Sequence, residues 1–205
     1  IVTFILDESG SMMAVRDETI SGFNEYVQTL QVDKTPTLIK LLSFNSINFS
    51  TLYDFDDIQT VEAMDRRMYN PNSGTPLYDA IVRGMMATEN FLEISGKQAN
   101  VMFTIMTDGM ENSSRYFTFS DVAEMVEQKE KEGWIFTFLG ANQNAWREGR
   151  KFGIKGKYAS SYRSSNPKEA FRVMAESTAR ARTNWRGTRE AADFYTDDEK
   201  RRLLE

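Results

Sequence analysis

Four short apolar runs, each bounded by polar or turn-forming residues, set the frame of this chain. Val2-Thr-Phe-Ile-Leu6, Thr37–Phe44, Val101–Met106 and Trp134–Leu139 are too short for helices and nearly continuous in apolar character, as strands buried on both faces are. Between them the period changes. Met13 through Gln31 carries Ile20, Phe23, Val27 and Leu30, and the segment from Pro76 carries Leu77, Ile81, Met85, Thr88 and Leu92 before Gly96. That spacing predicts helices with one buried stripe, opened by Pro and stopped by Gly. Ser120 is expected to cap a further helix closing at Gly133, and another is expected around residues 144–152. Asn166-Pro-Lys-Glu169 and Thr196-Asp-Asp-Glu199 each have the reciprocal capping pattern that opens a helix, and a weak strand is expected near Tyr158.

One stretch alternates instead. Ile47, Phe49, Thr51, Tyr53 and Phe55 are expected to share one side of a strand that comes after the second apolar run and Asn45-Ser46. A short polar connection into an alternating run reads as a hairpin, which places one antiparallel strand at the sheet edge. The whole pattern predicts an α/β, Rossmann-like open sheet, mostly parallel, with helices on both faces. No repeat or Pro/Gly-rich linker divides it. A single domain over residues 1–205 is expected, with a core over about 1–160 and a C-terminal helical extension over about 161–205.

Composition narrows the chemistry. The chain has 205 residues, no His and no Cys. Thiolate zinc sites, iron–sulfur clusters, imidazole acid–base chemistry and the Ser-His-Asp triad are therefore excluded. Any metal must be held by oxygen. No apolar run approaches the roughly 20 residues that span a bilayer. The chain opens on Ile1 rather than Met, which leaves room for a removed targeting segment, while the lack of Cys fits a reducing compartment. Charge is divided: residues 1–146 are net −11, residues 147–190 net +8 and the last fifteen net −2. Arg147, Arg150, Lys151, Lys155, Lys157, Arg180, Arg182, Arg186 and Arg189 could form a patch for an acidic partner or nucleic acid, although solvated helix faces commonly carry such charges.

Two of the apolar runs end in the same way, in Asp7-Glu8-Ser9-Gly10-Ser11 and in Thr107-Asp108-Gly109, and Ser73-Gly74-Thr75-Pro76 stands at a helix start. In open α/β sheets ligands bind beyond the carboxyl ends of the strands, where all three segments can meet. Asp7, Ser9, Ser11, Thr75 and Asp108 offer two carboxylates and three hydroxyls, hard donors that suit Mg²⁺ or Mn²⁺. Each also has a bland reading: Ser9, Ser11 and Thr75 as helix caps, Asp108-Gly109 as a turn. Their joint occurrence favours the metal site. Glu8 and Glu111 read as exposed loop acids that could also tune an ion's charge. Tyr78 and Asp79 are expected to serve the helix start, and Trp134, Trp146 and Trp185 to pack.

Asp7-x-Ser9-x-Ser11, Thr75 and Asp108 resemble the metal-ion-dependent adhesion site (MIDAS) of von Willebrand factor type A domains, supported by Ser-Gly-Thr-Pro-Leu-Tyr-Asp-Ala-Ile at 73–81 and Thr-Phe-Leu-Gly at 137–140. The likeness covers roughly residues 1–160. It implies that Ser9 and Ser11 coordinate Mg²⁺ directly, Thr75 directly or through water, and Asp7 and Asp108 largely through bridging waters. It further implies a protein-binding module rather than an enzyme, with a partner's Asp or Glu completing the coordination. The alternative is a regulatory or adaptor subunit of an AAA+ type ATPase or other complex. The wording Asp-x-Ser-Gly-Ser-Met is similar to cytoplasmic members from bacteria and phages. A similarity to haloacid-dehalogenase-like phosphohydrolases stops at Asp7, because Ser9 stands where they need a second, acid–base Asp.

Overall fold

β1 (Val2–Asp7) is buried along its whole length, which only a central strand covered on both faces can be. In the computed structural model it lies between two parallel neighbours, β2 (Leu38–Phe44) and β4 (Met102–Thr107). The structure describes residues 1–32, 34–141, 152–154, 158–184 and 194–204. β3 (Phe49–Asp57) pairs antiparallel with β2, and β5 (Ile135–Ala141) and β6 (Ala159–Tyr162) extend the sheet in parallel beyond β4. The order is β3-β2-β1-β4-β5-β6. This is a six-stranded, mostly parallel Rossmann-like sheet with one antiparallel edge strand, and its strand order reverses between β1 and β4.

The helices divide between the two faces. A 3-10 turn (Gly10–Val15) leads into α1 (Arg16–Val32), α2 spans Leu77–Ser95 and α3 Phe119–Lys131. α4 spans Pro167–Asn184 and α5 Asp197–Arg202. Phe4 of β1 meets Phe23 and Tyr26 of α1 and stacks on Phe171 of α4 at 5.8 Å. On the opposite face the hydroxyl of Thr3 bonds that of Thr88 in α2 at 2.8 Å. α2 and α3 are joined there by Lys129, whose ammonium is buried against Glu89 and Glu132 and lies over the Trp134 ring.

Gly84 lets α2 sit directly on the sheet: a Cβ there would overlap Ile5 and come within 3.0 Å of Phe103. α2 ends as expected, at Gly96 in the left-handed conformation, which glycine adopts without a steric penalty. The helix from residue 119 is capped two positions before Ser120. The Thr118 side chain accepts from the Asp121 N–H while Asp121 accepts from that of Thr118, a reciprocal pair that Ser120 has no partner to form. The helix expected around 144–152 falls largely outside the described residues.

The expected alternation in β3 fails. Ile47 lies in the preceding turn, and two irregularities in the β2–β3 register reverse the side-chain sequence. Phe49 lies beneath Arg83 and Phe55 stacks on Phe91 at 4.0 Å, both on the α2 side, whereas Tyr53 stacks on Phe23 of α1. Each extra residue in one strand of a ladder moves the later side chains to the other face, and Phe55, the extra residue of one shift, has a positive φ of 60°.

Phe171, Val173, Met174, Phe194, Tyr195 and Leu203 belong to the same hydrophobic cluster as β1, so the expected division near residue 160 runs through one continuous core. α5 is tied to α4 by Arg180–Glu199 and by Arg202 to Glu169 and Glu176. Phe171→Ala is accordingly expected to lower unfolding stability by about 3–5 kcal/mol, the usual cost of emptying a buried Phe site. Urea unfolding followed by far-UV circular dichroism checks it, and an unchanged midpoint would show α4 to be an appendage.

Candidate metal centre

β1, β2 and β4 run parallel and end at the same edge of the sheet, at Asp7, Phe44 and Thr107. The reversal of strand order leaves a crevice outside β1 and β4, and the loops at that edge close over it. Gly10 N–H donates to Ser73 O at 2.9 Å, Ser46 N–H to Gly74 O at 3.0 Å, and Asn72 N–H to Glu8 O at 2.9 Å. Thr75 is clasped by Asn112, which accepts from the Thr75 N–H through its side chain and donates its own N–H to Thr75 O. These bonds bring the loops after β1, β2 and β4 and the segment before α2 onto one point.

All five residues singled out from the sequence converge there. The Asp7 carboxylate accepts from Ser9 N–H at 2.8 Å and from Thr107 Oγ1 at 2.5 Å. Ser9 Oγ lies 3.1 Å from Ser11 Oγ, which donates to Asp108 Oδ1 at 2.6 Å. At Gly109 a Cβ would stand 3.0 Å from Thr75 Oγ1 and 3.7 Å from Asp7 Oδ2, so that glycine lets backbone pass against the cluster. The cap reading of Thr75 does not hold: α2 begins after Pro76, and the N–H groups of Tyr78 and Asp79 in its first turn go to Glu111 and Ser114 rather than to Thr75. Exposure grades across the cluster. Asp7, Ser9 and Thr75 are buried, Asp108 is half-buried and Ser11 is exposed, so it is walled on the sheet side and open to solvent on the other.

Electrostatics gives this arrangement its character. Burial is the largest cause pushing Asp7 up to about 6, and the charge of Asp108 adds to it. Burial also raises Asp108. Among the described residues no Lys or Arg pairs with either carboxylate. Two neighbouring acids withdrawn from water without a cation are unfavourable as anions, and a divalent ion reverses that cost. Oxygen donors alone, two of them anionic, match a hard cation. Among the described residues no cluster of three or more acids offers a competing site.

Several neighbours depart from the sequence expectation. Glu8 is buried rather than exposed. Its carboxylate accepts from Ser43 Oγ and from Asn70 N–H, 62 residues on, and so faces away from the cluster. Glu111 accepts from Tyr78, Ser113 and Ser114 N–H groups and bonds the Ser114 hydroxyl. Asp79 accepts from the N–H groups of Arg115, Tyr116 and Phe117. Both acids hold the loop after β4 to the start of α2. Tyr78 packs edge-on against Phe119 and Phe152, and Trp134 packs on Phe103 and Phe136. Trp146 and Trp185 lie outside the described residues.

Thr107, Tyr69 and Tyr162 were not anticipated at the site. Thr107 bonds Asp7, and the Tyr69 hydroxyl donates to Asp7 O at 2.6 Å. Tyr162, buried at the end of β6, is close enough to both carboxylates for their charge to help hold its phenol protonated. The hydroxyl beside Asp108 in Thr-Asp-Gly was a signal for the first; nothing local marks the tyrosines. Of the basic stretch, Arg180 and Arg182 are described. Arg180 pairs with Glu199, and Arg182 donates to Leu30 O and Thr35 O. The other seven lie outside the described residues.

The sequence matches no protein-family model and no curated protein sequence. Solved structures do resemble it. Manganese-loaded TRAP protein of Plasmodium vivax superposes with a TM-score of 0.57 at 16% identity, over 83% of this chain and 70% of that one. The von Willebrand factor type A structure from Catenulispora acidiphila gives 0.58 at 15%, over 87% and 42%. Proximal thread matrix protein 1 of the mussel byssus, with zinc in its MIDAS motif, gives 0.58 at 11%, over 87% and 45%. The chain thus spans less than half the length of the latter two. These likenesses establish the fold: it is that of a von Willebrand factor type A domain.

Asp7 also makes stability depend on pH in metal-free protein. Its folded value near 6 exceeds the ordinary 3.8, so the native state keeps a proton that the unfolded chain has released. Stability should fall as pH rises from about 4 to 6, by roughly 3 kcal/mol at 1.36 kcal/mol per unit, and then level off. Urea titrations in EDTA across that window, beside Asp7→Asn, measure it. The variant should lack the slope; a slope that persists in it would place the effect on another group.

Proposed function

We propose that this protein is a metal-dependent protein-binding module, in which Asp7, Ser9, Ser11, Thr75 and Asp108 hold Mg²⁺, or Mn²⁺ in its place, and a partner's Asp or Glu supplies a further ligand. The observation that carries this reading is the meeting, at one point that opens to solvent at Ser11, of three hydroxyls and two carboxylates that no Lys or Arg among the described residues pairs with. A divalent ion bound there supplies an electrophilic position for an external anionic oxygen. Asp7 and Asp108 supply the balancing charge, while the three neutral hydroxyls add donors without cancelling more of it. Thr107 and the Ser9 N–H hold the Asp7 carboxylate in one orientation, and Tyr69 holds its backbone. The metal-bearing structures of the same fold support the choice of site, and the outward opening at Ser11 supports a ligand arriving from a partner.

This reading assigns the site no catalytic step. Asp7 is fully buried with both carboxylate oxygens engaged, and Ser9 supplies no acid–base group at neutral pH. No helix among the described residues is long and apolar enough to cross a membrane.

Thermal unfolding in EDTA, Mg²⁺ and Mn²⁺ tests the metal. Ligand at about 100 times its Kd stabilises by about 2.7 kcal/mol, which at roughly 2–4 °C per kcal/mol for a chain this size raises Tm by several degrees. The rise should vanish in Ser9→Ala/Ser11→Ala and should grow as pH passes about 6, where the ion no longer competes with the Asp7 proton. Capture of a partner from host extract should be lost in EDTA and in Asp108→Ala. Capture that survives both would remove the metal from the binding mechanism.

A further inference from the structure

Among the described residues, four stretches stand at the mouth of the oxygen cluster: residues 8–13 after β1, 45–48 after β2, 70–76 before α2 and 108–114 after β4. None contains Lys or Arg. Their acids are turned inward: Glu8 onto Ser43 and the Asn70 N–H, Asp108 onto Ser11, and Glu111 onto the N–H groups of Tyr78, Ser113 and Ser114. What these loops present outward is uncharged. Three of the outward side chains are large and apolar, Met13 at 48% exposure, Ile47 at 78% and Met110 at 65%.

Each of the three is held near the cluster by a different loop. Met13 is two residues beyond Ser11 in the same 3-10 turn. Met110 comes directly after Gly109, whose backbone lies against Thr75 and Asp7. Ile47 comes directly after Ser46, which bonds the Ser73 hydroxyl and the Gly74 backbone just before Thr75. Val32, Met86, Ile94 and Leu204 are also exposed, but singly, on helices or at their ends, and Tyr116 is exposed on the same loop as Met110, beneath Arg83. Scattered exposed apolar residues are ordinary; several grouped about one polar site mark an interaction surface.

We propose that this rim docks a polypeptide segment in which one Asp or Glu is flanked by large apolar residues. The proposal rests on the reading of the cluster as a metal site that takes a partner's carboxylate. The single acid meets the ion, and the flanking side chains cover Met13, Ile47 and Met110. Unbranched thioethers adapt to more than one apolar shape. Charge sets the rest of the partner's chemistry. An acidic tract or a nucleic-acid backbone would find no Lys or Arg within these four stretches, Arg115 being exposed just beyond the last of them, and meets a part of the chain that is net −11 over residues 1–146, which repels it.

The test is a phage-displayed peptide library with a fixed central Asp or Glu and random flanks, panned on the wild-type protein in Mg²⁺ and eluted with EDTA. Apolar flanks should be enriched. Selected peptides should bind Met13→Ser/Ile47→Ser/Met110→Ser roughly tenfold more weakly, while that variant keeps the wild-type rise of Tm with Mg²⁺. Flanks that are acidic, basic or unselected, or equal binding to the triple variant, overturn the rim alone. Apolar peptides that bind equally in EDTA and to Asp108→Ala overturn the metal reading and the need for the carboxylate with it. A Mg²⁺-dependent dimer in sedimentation, lost in the triple variant, with no peptide enriched, replaces the peptide by a second copy.

Discussion

The burial of Asp7 is the constraint around which this end of the molecule is arranged. A central strand of a parallel sheet is apolar along its length, and here it ends in a carboxylate that is out of contact with water and, among the described residues, has no Lys or Arg beside it. Two donors hold it, the Ser9 N–H and the Thr107 hydroxyl. They come from the strand's own continuation and from the end of the adjacent β4, so the parallel pairing of β1 with β4 positions both. Asp108 comes one residue later and shares the same low-dielectric corner. The result is a preformed anionic concavity whose most favourable occupant is a cation, at the place where strand order reverses and a crevice opens anyway.

The surrounding loops are stiffened by side chains that bond backbone N–H groups, several of them far away in sequence. Glu8 holds the loop at Asn70, Asp79 and Glu111 hold the loop after β4, Asn112 clasps Thr75, and Asn45 caps its own tight turn through Ile47 and Asn48 N–H. A carboxylate that accepts several N–H bonds is satisfied without a cation, which separates Asp79 and Glu111, with three each, from Asp7 and Asp108. The distinction has a functional consequence. The rim acids are used internally, so the outward surface nearest the cluster is left to amides, hydroxyls, Met and Ile, with Arg115 and Tyr116 exposed farther along the loop after β4.

Much of this was legible in the sequence because it depends on local period. Val2–Leu6 leading into Asp, the Leu77 to Leu92 stripe closed by Gly96, and the three oxygen-bearing segments are all written within a few residues. β3 was misread because alternation assumes an unbroken ladder, and nothing in Thr51-Leu-Tyr-Asp-Phe55 announces two register shifts. The Thr118 cap is legible in Asp121, three residues on, whereas Ser120 has Ala123 in that place, which cannot reciprocate. Glu8, Asp79 and Glu111 were beyond local reading, since their partners are amides some 30–60 residues distant. The role of α4 was likewise hidden, because its stripe does not say which sheet face it covers.

The most direct measurement is anomalous diffraction at the manganese edge from crystals grown in Mn²⁺. One strong peak is predicted in direct contact with Ser9 Oγ and Ser11 Oγ, with Thr75, Asp7 and Asp108 around it at direct or one-water distance. An ion bound elsewhere, or Ser9 and Ser11 still bonded to each other and to Asp108 with no peak between them at saturating Mn²⁺, would contradict it.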